Sequence, residues 1–214
     1  MIKESPISMV IADDHQLVRM GVKAMLSGTE ISIVAEATTP EDAVKAVKEH
    51  EPNVVLFDVM MTTNDDSFVA IEQIQLSCPE TAILMFSNYD NPSYVARSSI
   101  YGAANYLLKD CTRAELIETI RDVSKGETPA QSSLFSRVQR AMSRPSQTVD
   151  GIPVTRRELQ VLRHVALGLS NKEIANSCSI SIETVKEHVQ NILRKLNVTD
   201  RTAAAVWAVK QQVV

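Results

Sequence analysis

VTRRELQVLRHVALGLSNKEIANSCSISIETVKEHVQNILRKLNVTDRTAA, from Val154 to Ala204, reads as three short helices with tight breaks and the start of a fourth. Thr155-x-x-Glu158 is a capping box, in which a hydroxyl and a carboxylate three residues apart satisfy each other's free backbone N–H groups. Leu159, Leu162, Val165 and Ala166 follow at helical spacing, and Gly168 ends the helix in the left-handed conformation that a Cβ makes costly. Ser170-x-x-Glu173 opens a second helix with Ile174, Ala175 and Cys178 inward. Ser179-Ile180-Ser181 is a turn, and Ser181 caps a third helix whose Val185, Val189, Ile192 and Leu196 face the core. Glu183, Lys186, Glu187, Gln190 and Arg194 are left on its outer face.

That outer face carries the donors and acceptors that base edges in a B-DNA major groove demand. Lys186, Glu187 and Gln190 fit base reading. Lys172, Thr184, His188, Asn191, Arg194 and Lys195 can position phosphates. The plain alternative is a solvated amphipathic face. Two capping boxes, the short turn and the basic third helix favour the first reading. Residues 151–214 hold 9 Lys/Arg against 5 Asp/Glu, a net +4 that is common on other domains too, whereas residues 1–150 hold 13 against 21, a net −8. An acidic front and a basic back suggest two domains with different partners, the back one facing a polyanion, double-stranded DNA.

Ahead of this module the texture alternates. Apolar runs at 7–12, 31–37, 53–57, 82–86 and 105–108 read as strands, and the stretches 16–27, 40–50, 67–77, 92–101 and 113–125 as helices. Thr39-Pro40 and Asn91-Pro92 place a cap before proline at a helix start. Five such units imply an α/β fold, a doubly wound five-stranded parallel sheet of flavodoxin-like type, followed by the all-α four-helix helix-turn-helix domain. From 126 to 150 Pro, Ser and Gln dominate. The expected division is therefore a front domain over 1–125, a linker over 126–150 and a DNA-binding domain over 151–214. The linker's middle, Ser133 to Met142, is either plain tether or a helix.

Ligands of open parallel sheets bind beyond the carboxyl ends of the strands. There the sequence places Asp13 and Asp14 after the first strand, Asp58 after the third, Ser87 after the fourth and Lys109 after the fifth. Clustered carboxylates need a cation, and hard oxygen ligands favour Mg²⁺. A carboxylate beside Mg²⁺ can attack a phosphoryl donor, with Lys109 and Ser87 stabilising the transferring oxygens. Taken singly, each has a plain alternative: Asp14 as a cap for the helix near Gln16, Lys109 as a solvated loop lysine. No GxxxxGK[ST] or GxGxxG is present, so the phosphoryl group is expected from another molecule rather than a bound nucleotide. The three cysteines lack a CxxC spacing and read as reduced thiols. No stretch approaches the roughly 20 apolar residues of a membrane span, and the first residues do not make a signal peptide, so no membrane partner and a cytoplasmic location are expected.

VIADDH, VVLFDVMM, LMFS and GAANYLLKD, over about residues 6–125, resemble a response-regulator receiver domain. TRRELQVL, GLSNKEIA, SIETVKEHVQNILRKLNV and RTAA are similar to the LuxR-type helix-turn-helix of NarL/FixJ response regulators. The resemblance implies that Asp58 is the phosphoacceptor, that Asp14, Asp58 and the Met60 carbonyl hold Mg²⁺ directly, and that Asp13 acts through water. It implies that Ser87 and Lys109 contact the phosphoryl oxygens, that Ser87 swings toward them and that Tyr106 rotates to fill the space behind. It also implies a sensor histidine kinase as phosphodonor and a homodimer on DNA. The fourth helix, with Ala203, Ala204, Val206, Trp207 and Val209, would mediate dimerisation; the same residues can simply cover the domain core. Two departures stand out. Residues 62–68, TTNDDSF, carry one residue more than the pattern, no proline or glycine, and extra acid at Asp65 and Asp66; Asn105 stands where glycine is common. The expected function is a phosphorylation-controlled transcription regulator of a two-component system. A phosphorylation-independent DNA-binding regulator with an atypical receiver is the alternative. A Mg²⁺-dependent phosphatase would need a second catalytic carboxylate that the spacing does not supply, so the chain is expected not to be an enzyme.

Overall fold

The computed structural model describes residues 6–61, 64–143 and 154–213. Thr62 and Thr63, the start of the unusual loop, lie outside the described residues, as does the linker from 144 to 153. The elements run β1 (Ile7–Ala12), α1 (Gln16–Leu26), β2 (Ile31–Ala37), α2 (Pro40–His50), β3 (Val54–Asp58), α3 (Asn64–Ser77), β4 (Ala82–Ser87), α4 (Pro92–Ile100), β5 (Asn105–Leu108), α5 (Arg113–Ser124), α6 (Leu134–Ser143), α7 (Arg156–Ala166), α8 (Asn171–Cys178), α9 (Ile182–Leu196) and α10 (Arg201–Lys210). The chain divides into two compact units, Met1–Asp90 with Tyr101–Phe135, and Asn91–Ile100 with Ser136–Val214.

In the first unit the five strands form one parallel sheet in the order β2-β1-β3-β4-β5. The order reverses between β1 and β3, which leaves a crevice at their carboxyl ends. Strands β3 and β4 are buried on both faces and are apolar almost throughout, as a covered parallel sheet requires. On one face Met9, Ile11, Val54, Leu56, Leu84 and Phe86 pack with Val22 and Leu26 of α1 and with Leu116, Ile117, Ile120 and Val123 of α5. At about 25 cal/mol per Å² of apolar surface, each such side chain contributes roughly 2 kcal/mol before the entropy of ordering it.

Helix α2 starts as the sequence indicates: Thr39 Oγ1 accepts the Asp42 N–H at 3.1 Å and Pro40 stands in the first turn. Helix α5 starts with a full capping box, Thr112 with Glu115. Helix α3 begins at Asn64, three residues before the expected start. Asp66 therefore lies in its first turn, where negative charge suits the helix dipole.

The second unit holds the four C-terminal helices in the expected order. Capping boxes open α7 (Thr155, Glu158) and α8 (Ser170, Glu173), and Ser181 Oγ accepts the Thr184 N–H at 3.0 Å to open α9. Gly168 has φ +76°, and Ser179 and Asn197 also end their helices in the left-handed region. Leu159, Leu162, Val165, Ile174, Ala175, Cys178, Val185 and Ile192 are buried, whereas Val189 and Leu196 are only half-buried. The middle of the linker is helical: α6 buries Phe135, Val138 and Met142 along one side.

Candidate functional site: an acidic strand edge and a polar helix face

Each strand of the first unit's crevice ends in a polar side chain because the apolar run that makes it a buried strand stops there. Asp13 and Asp58 are both almost fully buried. Lys109, following β5, sends Nζ to 2.7 Å from Asp13 Oδ2 and 3.0 Å from Asp58 Oδ2, with its own side chain 7% exposed. The Lys109 backbone is fixed by an N–H donated to the Ser87 carbonyl at 2.8 Å, and its Nζ lies 5.9 Å from the centre of the Phe86 ring. Asp58 Oδ1 accepts the Met60 N–H at 3.1 Å, and Asp13 Oδ1 accepts the His15 N–H at 2.8 Å. The residue preceding α1 is thus His15, with no side-chain cap, and Asp14 is not the cap of that helix.

The charge at this edge is net negative. One ammonium faces two buried carboxylates, with Asp14 beside them. Asp13 Oδ2 is held by the ion contact from Lys109 at 2.7 Å and, among the described residues, by no other donor. Burial pushes the Asp58 carboxyl above its ordinary range, against the pull of Lys109 and of the Met60 N–H. Burial also pulls the Lys109 ammonium down, but Asp13 and Asp58 outweigh it and leave it above its ordinary value. Among the described residues, Asp13, Asp14, His15 and Asp58 each offer a ligand atom, all within 4.8 Å of one another. Hard oxygen donors, and among the described residues a buried carboxylate oxygen with no donor besides Lys109, fit a divalent cation such as Mg²⁺. His15 was not anticipated from the sequence, although the run Asp13-Asp14-His15 holds the signal.

Ser87, at the end of β4, is fully buried, and its Oγ accepts the Tyr89 N–H at 3.1 Å. The Tyr106 hydroxyl donates to the Tyr89 carbonyl at 2.6 Å, and the Tyr106 ring is 5% exposed. The ring lies inward, where the Tyr89 carbonyl satisfies its hydroxyl. Met60 follows Asp58 at the rim and is half-buried.

In the second unit the outer face of α9 is polar. Lys186, Glu187, Gln190 and Arg194 are exposed, and Thr184, His188 and Asn191 half-exposed. Lys186 Nζ lies 2.8 Å from Glu183 Oε1, and Arg194 donates to Asn191 Oδ1 at 2.9 Å. These exposed contacts are weak and leave the face adaptable. Lys172 is exposed on α8. Lys195, expected among the phosphate-positioning residues, is instead engaged by the fold. Its Nζ sits 2.7 Å from Glu158 Oε2, the buried carboxylate of the α7 capping box. On α10, Ala204 and Ala208 are buried, Ala203 and Trp207 half-buried, and Val206 and Val209 exposed.

Both units match families. Residues 9–121 match the response regulator receiver domain, and residues 153–208 match the bacterial regulatory proteins of the luxR family. The chain is a response regulator of the NarL/FixJ family. This response regulator is 32% identical to the response regulator protein VraR of Staphylococcus saprophyticus over 210 residues, 98% of this chain and 99% of that protein. It is 34% identical to the uncharacterized transcriptional regulatory protein YxjL of Bacillus subtilis over 218 residues, covering all of both. Among solved structures it resembles response regulator ChrA of a heme-sensing two-component system, at 28% identity and a TM-score of 0.54 over 98% of this chain and 100% of that one. The receiver domain of NarL from Mycobacterium tuberculosis matches at 33% identity and TM-score 0.54, over 57% of this chain and 99% of that one. RcsB, solved in complex with DNA, shares the fold at 21% identity and TM-score 0.57, over 95% of this chain and 98% of that one. The response regulator therefore combines a receiver with a LuxR-type DNA-binding domain.

Proposed function

We propose that this response regulator accepts a phosphoryl group on Asp58 from a sensor histidine kinase and thereby controls DNA binding, as a homodimer, by its C-terminal domain. The observation that carries this reading is the pair of ion contacts from Lys109 to Asp13 and Asp58, which gathers the ends of three strands around one buried carboxylate. An Asp58 carboxylate oxygen attacks phosphorus, the P–N bond of the donor's phosphohistidine breaks, and the electron pair returns to the donor's imidazole. Lys109 Nζ shifts its contacts to the phosphoryl oxygens, and the Ser87 hydroxyl, which now accepts the Tyr89 N–H, turns to donate to them. Asp13, Asp14, Asp58 and the Met60 carbonyl would hold Mg²⁺, which supplies positive charge for the transferring oxygens. The Tyr89 backbone joins the two switch residues: its N–H reaches Ser87 and its carbonyl holds Tyr106. A movement of Ser87 therefore loosens the segment that keeps Tyr106 inward.

On the DNA side, Lys186, Glu187 and Gln190 read base edges, while Lys172, Thr184, His188, Asn191 and Arg194 position phosphates. Ala203, Val206 and Trp207 form the α10 dimer contact. The functional division is a receiver over 1–125, a linker over 126–150 and the DNA-binding domain over 151–214, in a cytoplasmic regulator rather than a turnover enzyme. The experiment is intact mass spectrometry after treatment with a small phosphodonor and Mg²⁺. Wild type should gain one phosphoryl group and Asp58→Asn none. Equal gain by both, or gain by neither, would sink the switch.

The atypical stretch 62–68, with extra acid at Asp65 and Asp66, favours a second reading. DNA affinity unchanged by phosphorylation or by Asp58→Ala would mark the chain as a phosphorylation-independent regulator.

A further inference from the structure

The strand-edge cluster contains a side chain of a different chemical kind. His15 Nδ1 lies 2.7 Å from Asp14 Oδ1 and 3.5 Å from Asp13 Oδ1. A hydrogen bond accounts for the first contact but not the second. Two donors bound side by side to one cation at about 2.1 Å each stand roughly 3 Å apart, so both separations lie within about half an ångström of what a shared ion requires. The backbone sets this placement, since the His15 N–H is anchored on Asp13 Oδ1 at 2.8 Å. The imidazole has no part in capping α1. Its side chain is 65% exposed, so the proton that Nδ1 now shares with Asp14 can be carried instead by Nε2 in water, which leaves the Nδ1 lone pair for an ion. Asp13 Oδ2 in the same cluster is buried and, among the described residues, has no hydrogen-bond partner beyond the ion contact from Lys109 at 2.7 Å.

We propose that His15 is a nitrogen ligand of the receiver's cation site, and that the site therefore binds divalent transition-metal ions in preference to Mg²⁺. Mg²⁺ selects oxygen donors, whereas imidazole suits the later first-row ions, whose affinity for a mixed nitrogen and oxygen site rises along the series. Asp13, Asp14 and Asp58 are the ligands both kinds of ion share; His15 is the ligand only the transition ions use well. The inference rests on the cation-site reading above.

The test is calorimetric titration of the untagged full-length protein with Mg²⁺ and with Ni²⁺, for wild type, His15→Ala, His15→Gln and the double variant Asp13→Asn/Asp58→Asn. Wild type should bind both ions, Ni²⁺ the more tightly. Both His15 variants should weaken Ni²⁺ by about tenfold or more and change Mg²⁺ by less than about twofold. The double variant should lose both ions. Equal Ni²⁺ affinity in wild type and the His15 variants would overturn the role of His15. Ni²⁺ binding that survives in the double variant would place the ion elsewhere and overturn it too. If wild type binds Ni²⁺ but not Mg²⁺, the Mg²⁺ reading alone fails; if it binds neither, both fall.

Discussion

The acidic edge of the receiver and the outer face of α9 are both functional surfaces, yet they are built in opposite ways. At the edge, the side chains of Asp13, Asp58, Ser87 and Lys109 are buried, and two ion pairs hold Lys109, Asp13 and Asp58 in one geometry. On α9, Lys186, Glu187 and Gln190 stand in water with only a local contact between Lys186 and Glu183. A buried charged set works as a unit, because each member sets the cost of the others. An exposed set on a capped helix is a row of nearly independent side chains. Substitution should therefore have large, coupled effects at the edge and smaller, separable ones on the helix.

The sharpest way to break that comparison is Lys109→Met. It removes the only ammonium contacting Asp13 and Asp58 among the described residues and leaves both carboxylates buried. Phosphorylation of Asp58 should fall by about 100-fold or more, as for loss of one transition-state donor. Unfolding of the receiver should cost about 3 kcal/mol less. Added Mg²⁺ should restore more stability in the variant than in wild type, because the ion replaces the lost charge. Denaturant melts with and without Mg²⁺ decide this. A variant as stable as wild type, with no added response to Mg²⁺, would mean that the edge does not behave as a coupled charge set.

The helix face should respond more mildly and in two distinguishable ways. Gln190→Ala should cost about 1–3 kcal/mol on the preferred site and relax preference at one base pair. Lys172→Ala should weaken binding to all sequences alike and reduce the slope of log affinity against log salt by about one. Binding curves on a panel of single-base variants at several salt concentrations separate the two. Identical changes from both substitutions would erase the assigned difference between base readers and phosphate positioners.

What could be read from sequence follows the same divide between local and long-range causes. The strands were legible because a strand covered on both faces must be continuously apolar, as in Val54–Phe57, and their polar termini then located Asp58, Ser87 and Lys109. Helix starts were legible because Thr155, Ser170 and Ser181 cap residues only two or three positions away. The pairing of Lys195 with Glu158 spans 37 residues and has no local signature. The burial of Tyr106 depends on a carbonyl 17 residues earlier. His15 was hidden for another reason: a histidine before a helix is ordinary, and only the geometry shows its Nδ1 turned toward Asp14.

The smallest expected effect tests whether the second unit's interior, unlike its DNA face, shares the coupled behaviour of the receiver edge. His164 of α7 is fully buried. Its Nδ1 lies 2.8 Å from the Gln160 carbonyl, which can only accept, so Nδ1 carries the proton. Nε2, 2.8 Å from Ser177 Oγ, then accepts from that hydroxyl and ties α7 to α8. Burial, and after it the nearby Arg157 and Arg163 charges, hold the imidazole below its ordinary pKa of 6.5 despite the Gln160 carbonyl. With the folded value below the unfolded one, the unfolded state binds more protons as pH falls below 6.5. Stability is thus fully present above that pH and is lost below it, until the folded imidazole also protonates. The loss is at most about 1.4 kcal/mol per pH unit. Glu158 and Glu30 titrate below their ordinary 4.5, Glu30 at about 2, so they leave the window from 6.5 to 5.5 clear. Trp207, the single tryptophan, lies in α10 and reports on this unit. Its denaturation midpoint should fall between pH 7 and 5.5 in wild type and stay level in His164→Gln. A matching fall in the variant would assign the acid sensitivity to other groups and leave the α7–α8 contact insensitive to charge.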